Sequence, residues 1–153
     1  MKKATALLTC LLLVFACAGA FADDPAYEGY DVSFEEGGFK LLIPTDWSAQ
    51  EQEDATRYVY ASADSSAALR ILLVPTETEL TYEEAVSTLT DLYGTMDAFS
   101  CNDLDWLIVE DADSGTTQFV MPRANGLYMF LPFAQTDDAM GTCLDVLLSA
   151  TPL

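Results

Sequence analysis

The sequence predicts an α+β fold, with an antiparallel β-sheet sandwiched by helices. Three observations carry that prediction. Short apolar runs recur from Tyr30 onward, most of them closed by a proline or by turn residues, as strands joined by short antiparallel connections would be. Two longer stretches repeat apolar residues at three- and four-residue steps, the spacing of helices with one buried face. Several runs are apolar on both faces, which calls for a sheet covered on both sides.

The first residues stand apart from this pattern. Lys2 and Lys3 precede an uncharged run over residues 4–22 that ends in small residues at Ala20 and Ala22, the form of a secretory leader and its cleavage site. Residues 1–22 are therefore expected to be a signal peptide, 23–29 a short polar tether, and 30–153 a single domain. A second processing site competes. "VFAC", ending at Cys17, resembles the box cut ahead of a lipidated cysteine, although Phe15 is bulky where a small residue is usual. The expected location is secreted, with a lipoprotein anchored at Cys17 as the alternative.

Within the domain, Tyr30, Val32 and Phe34 alternate with Asp31 and Ser33, the period of a half-buried strand. Turn residues 35–38 lead into "FKLLI", which Pro44 ends because proline cannot donate to a sheet ladder. "PTDW" reads as a turn, with Trp47 folding back over an open end of the core. Residues 48–56 are polar and carry no clear signal. "RYVYAS" (57–62) alternates again, and "ALRILLV" (68–74) is a stronger strand closed by Pro75.

Thr81 and Glu84 have the spacing of a capping box, in which each side chain satisfies the other residue's free N–H. Tyr82, Ala85, Val86, Leu89, Leu92, Tyr93 and Met96 then mark one face of a helix, and Gly94 is its expected stop. "DWLIVE" (105–110) is apolar on both faces. "DADSG" turns into "TTQFVM", which Pro122 ends, and "ANG" (124–126) turns into "LYMFL", which Pro132 ends. A last helix is expected over 137–149. Asp137 and Asp138 suit its positive end, and Met140, Cys143, Leu144 and Leu147 form its buried stripe.

This order resembles the PsbP-like family, named after an extrinsic photosystem protein and including a Ran-binding protein and small secreted or lipid-anchored bacterial proteins. The matching segments are "GFKLLIPTDW", "LTYEEAVSTL", "GLYMFLPF" and "LLS", spanning roughly residues 38–149. The resemblance implies an α/β/α sandwich and a role as a binding or assembly factor. The family shares no catalytic motif, so no functional residue carries over from it.

Composition narrows the function classes. The 153-residue chain has a net charge of −19, and all 25 acidic residues follow the leader. Only Lys40, Arg57, Arg70 and Arg123 oppose them there. Such a chain repels phosphate backbones and anionic lipid, so neither nucleic acid nor an anionic membrane surface is an expected partner. An unidentified protein or small ligand is, with the chain itself monomeric. Histidine is absent, which removes Ser-His-Asp and Cys-His catalysis and histidine-based zinc sites.

No cofactor or catalytic residue is expected, and the chain reads as a non-catalytic module. Two alternatives remain open. A small carboxylate-dependent hydrolase would need two facing acids. A calcium-binding surface would draw on Asp103, Asp105, Asp111 and Asp113, since calcium takes oxygen ligands. An EF-hand loop counted from Asp111 fails, because Thr116 and Pro122 stand where glycine and glutamate are needed. Trp47 and Trp106 are candidates for a binding surface or for core packing. Cys101 and Cys143 are candidates for a disulfide, provided that both helices pack on one face of the sheet. Two buried free thiols are the alternative.

Overall fold

The computed structural model describes residues 27–51 and 54–153. The expected leader, Cys17 and most of the expected tether lie outside the described residues, and Gly29, assigned to the tether, already belongs to the first strand. The predicted hairpin is present. Strand β1 (Gly29–Phe34) pairs antiparallel with β2 (Phe39–Pro44), Tyr30 opposite Ile43 and Phe34 opposite Phe39. Alternation along β2 buries Phe39, Leu41 and Ile43 completely. Gly38, at φ 66, supplies the left-handed residue that turns one strand into the other.

Trp47 does more than close a turn. It begins a short strand, β3 (Trp47–Gln50), whose other three residues are exposed. This is part of the stretch that carried no signal, and its polarity is that of an exposed edge. β4 (Arg57–Ser62) and β5 (Ala67–Pro75) follow as expected. Helix α1 (Tyr82–Tyr93) starts at the capping box: Glu84 N–H donates to Thr81 Oγ1 at 3.3 Å, and Thr81 N–H donates to Glu84 Oε2 at 3.0 Å. It stops at Gly94.

A second strand without a sequence signal, β6 (Asp97–Cys101), then pairs with β7 (Leu104–Asp111). β8 (Thr116–Arg123), β9 (Gly126–Ala134), helix α2 (Asp137–Leu148) and a two-residue strand β10 (Thr151–Pro152) complete the order. β9 continues through Pro132, contrary to expectation. Beyond Phe130 it pairs with β5 alone, so an imino nitrogen there breaks no ladder on the β8 side.

The described residues form a seven-stranded antiparallel sheet in the order β3-β4-β5-β9-β8-β7-β6 and a three-stranded sheet in the order β1-β2-β10. The large sheet has apolar layers on both faces. On one, Ala85 and Leu89 of α1 pack with Leu107, Val109, Val120 and Leu127. On the other, Cys143, Val146 and Leu147 of α2 and the inward residues of β2 pack with Leu69, Ile71, Trp106, Phe119 and Phe130. The fold class is therefore α+β, with the sheet between helices. The small sheet lies in the same layer as α2, and Arg123 ties it to β8 by donating from Nε to the Gly37 carbonyl. Gly126 (φ 147) holds β9 against β5 so closely that a side chain there would collide with the Val74 carbonyl.

Candidate functional site

Residues singled out by the sequence do not come together. Asp103 and Asp105 stand at one end of β7, and Asp111 and Asp113 at the other. Six residues of strand rise separate Asp105 from Asp111 by about 20 Å, so the four carboxylates cannot share an ion. Each end also has local partners. Ser100 Oγ donates to Asp105 at 2.5 Å, and Asp111 accepts from Ser114 Oγ at 2.7 Å and from the Asp113 N–H at 3.0 Å. These bonds, Ser114's first, hold the Asp111 carboxyl below its ordinary range. Among the described residues no group of three or more metal-ligating side chains converges.

The tryptophans are interior, which corrects their candidacy as a binding surface. Trp47 is 4% exposed and Trp106 is 0% exposed. Trp106 lies between Phe99, with ring centres 5.9 Å apart and planes 5° apart, and Phe130, at 5.0 Å. Its alternation with Leu107 on β7 points it into the α2-side core.

Both cysteines are buried, and they are not crosslinked to each other. The helices do not share a face, α1 and α2 packing on opposite sides, but both cysteines lie in the α2-side core and are parted by distance across the sheet. Cys143 Sγ donates to the Ala68 and Phe133 carbonyls of the paired strands β5 and β9, each at 3.5 Å, whereas Cys101 ends the outermost strand, β6. Burial pushes the Cys143 thiol up, away from the reactive thiolate.

Beside β3 and β4 lies a shallow cleft of about 200 Å³ lined by Gln50, Asp54, Arg57, Tyr58 and Tyr60, among others. Asp54 is the one lining carboxylate among the described residues, and it is already paired with Arg57 at 3.5 Å and with Thr56 Oγ1 at 2.7 Å. Among the described residues that line it, no second acid faces Asp54 as glycoside hydrolysis would need.

The feature with room for a partner is the α1-side face of the large sheet. Helix α1 covers β7 and β8 and reaches the start of β9 through Leu127 and Met129. Beyond it, strand pairing and alternation place Val59 of β4, Arg70, Leu72 and Val74 of β5, and Leu131 and Phe133 of β9 on one continuous surface. Phe133 and Val74 are each 46% exposed, and Val59, Leu72 and Leu131 are half-buried. The same strands bury Leu69, Ile71 and Phe130 on their other face. Arg70 stands within the surface, its guanidinium 5.2 Å from the centre of the Phe133 ring. It makes no ion pair among the described residues, in a chain with 25 acids.

Sequence reasoning missed this surface. The only trace of it is Arg70 interrupting the apolar run "ALRILLV" on the face opposite Leu69 and Ile71.

This structure is similar to a solution structure of cyanobacterial PsbP (CyanoP) from Synechocystis sp. PCC 6803. The match has a TM-score of 0.54 at 12% identity and covers 84% of this chain and 95% of that one. The chain has the PsbP fold. A crystal structure from Bacteroides thetaiotaomicron matches with a TM-score of 0.57, also at 12% identity, over 82% of this chain. This chain spans about half the length of that protein, 49%. No protein-family model matches the sequence, and no curated protein does. The PsbP fold recurs here at an identity that conveys architecture alone. Among the described residues no helix is long and apolar enough to cross a membrane.

Proposed function

We propose that this chain is an exported, non-catalytic binding or assembly module of the bacterial cell envelope, and that its partner docks on the α1-side half of the large sheet that no helix among the described residues covers. The observation that carries this reading is the continuous surface of Val59, Leu72, Val74, Leu131 and Phe133 around Arg70, beside a helix that covers only the other half. Contiguous exposed apolar surface of this kind marks interaction sites more often than chance. The leader-like residues 1–22 support export, and the strongly acidic composition suits a soluble extracytoplasmic protein. The described carboxylate of the shallow cleft, Asp54, is already paired with Arg57, which lends a hydrolase no support.

The test is affinity capture from the native cell envelope with the mature protein as bait, run beside a Leu72→Asp variant. The substitution places a charge on the surface without entering the core behind it. A partner held by the parent and lost by Leu72→Asp, with thermal stability unchanged, supports the reading. A partner held equally by both places the interface elsewhere.

A further inference from the structure

The shape of the bare surface specifies its occupant. Helix α1 packs on β7 and β8 with its inward residues meeting Leu107, Val109 and Val120. Helices that pack side by side in one layer lie about 8–10 Å apart. Neighbouring strands are about 4.8 Å apart, so two strand steps from β8 is about one helix spacing. Two steps along the order β8-β9-β5 is β5, the strand that carries Arg70 and Leu72. Its flanks on that surface are Val59 of β4 and Leu131 of β9, which would line the groove beneath such a helix.

Charge specifies the rest. Arg57 is committed to Asp54, and Arg123 donates to the Gly37 and Gly38 carbonyls. Arg70 alone of the arginines has only an aromatic ring as its neighbour among the contacts of the described residues. A guanidinium whose neighbour is a ring keeps its N–H groups available for a carboxylate.

Building on the docking surface proposed above, we propose that the occupant is a single amphipathic helix of a partner protein, lying beside α1 over β5, with a glutamate or aspartate on its apolar face to meet Arg70. A second copy of this chain is disfavoured, because two strongly acidic molecules repel each other.

The experiment uses the mature protein and two labelled synthetic peptides of about four helical turns, followed by fluorescence anisotropy. Both carry the same leucine stripe. One has glutamate at the centre of the stripe and the other has lysine. The glutamate peptide should bind about tenfold more tightly than the lysine peptide, the size expected of a charge pair inside an apolar contact. Arg70→Glu should reverse the preference, and circular dichroism should show the variant folded, since Arg70 is exposed. Equal affinity for both peptides, or a preference that Arg70→Glu leaves intact, overturns the inference. Failure of both peptides to bind also overturns it. In that case, loss of the envelope partner by Leu72→Asp would still uphold the docking surface, with an occupant of another shape.

Discussion

Trp47→Ala isolates what joins the edge of the large sheet to the core. Trp47 is the one buried residue of β3, 4% exposed, while Ser48, Ala49 and Gln50 are exposed. Its carbonyl accepts from Tyr30 Oη at 3.2 Å, so the same residue ties β3 to the small sheet. A buried tryptophan removes about 200 Å² from water, worth about 5 kcal/mol at about 25 cal/mol per Å². Alanine keeps part of that area, and an edge strand can relax into the space, so the expected loss is about 3–4 kcal/mol. With a urea slope of about 2 kcal/mol per M for a small domain, the unfolding midpoint should fall by about 1.5–2 M. Trp106 remains buried in the core of the variant and reports the transition by fluorescence. Trp47→Phe, which restores most of the volume, should recover more than half of the loss. A midpoint within about 0.3 M of the parent would refute the reasoning, because β3 would then contribute nothing to the cooperative unit.

Three further outcomes are expected. Thr81→Ala removes the hydroxyl that caps α1 and should cost about 1 kcal/mol, read as a lower melting temperature with the helix still present by circular dichroism. Cys143 should resist a thiol reagent in the native protein and react in urea without reductant; a Cys143 that reacts in urea only after reductant is added would show a crosslink instead. Asp64 accepts from the Ser66 N–H at 3.0 Å and from Ser62 Oγ at 2.8 Å, and these bonds, Ser66's first, hold its carboxyl down to about 2. Since the folded value lies below the unfolded one, its contribution is present above about pH 4 and lost as pH falls toward 2. The stability difference between parent and Asp64→Asn should therefore shrink across that window.

The sequence alone determined the elements whose signals are local. The Thr81–Glu84 box and the three- and four-residue apolar steps placed α1, because a helix satisfies its own backbone and needs a neighbour only for one face. Alternation and Pro44 placed the β1–β2 hairpin, and the doubly apolar run at 106–109 announced a strand covered on both sides. The exposed edge strands β3 and β6 had no such signal, since their outer residues are mostly polar or small and show no sustained apolar alternation, although each pairs with the next strand in the chain. Tertiary structure decided the rest. β9 entered the sheet between β5 and β8, α1 and α2 took opposite faces, the aspartates were drawn to opposite ends of one strand, and both tryptophans turned inward. The uncovered surface around Arg70 was also decided at that level. Whether a strand face is buried depends on which helix lies above it, and that choice is made by contacts between residues far apart in the chain, which no local periodicity records.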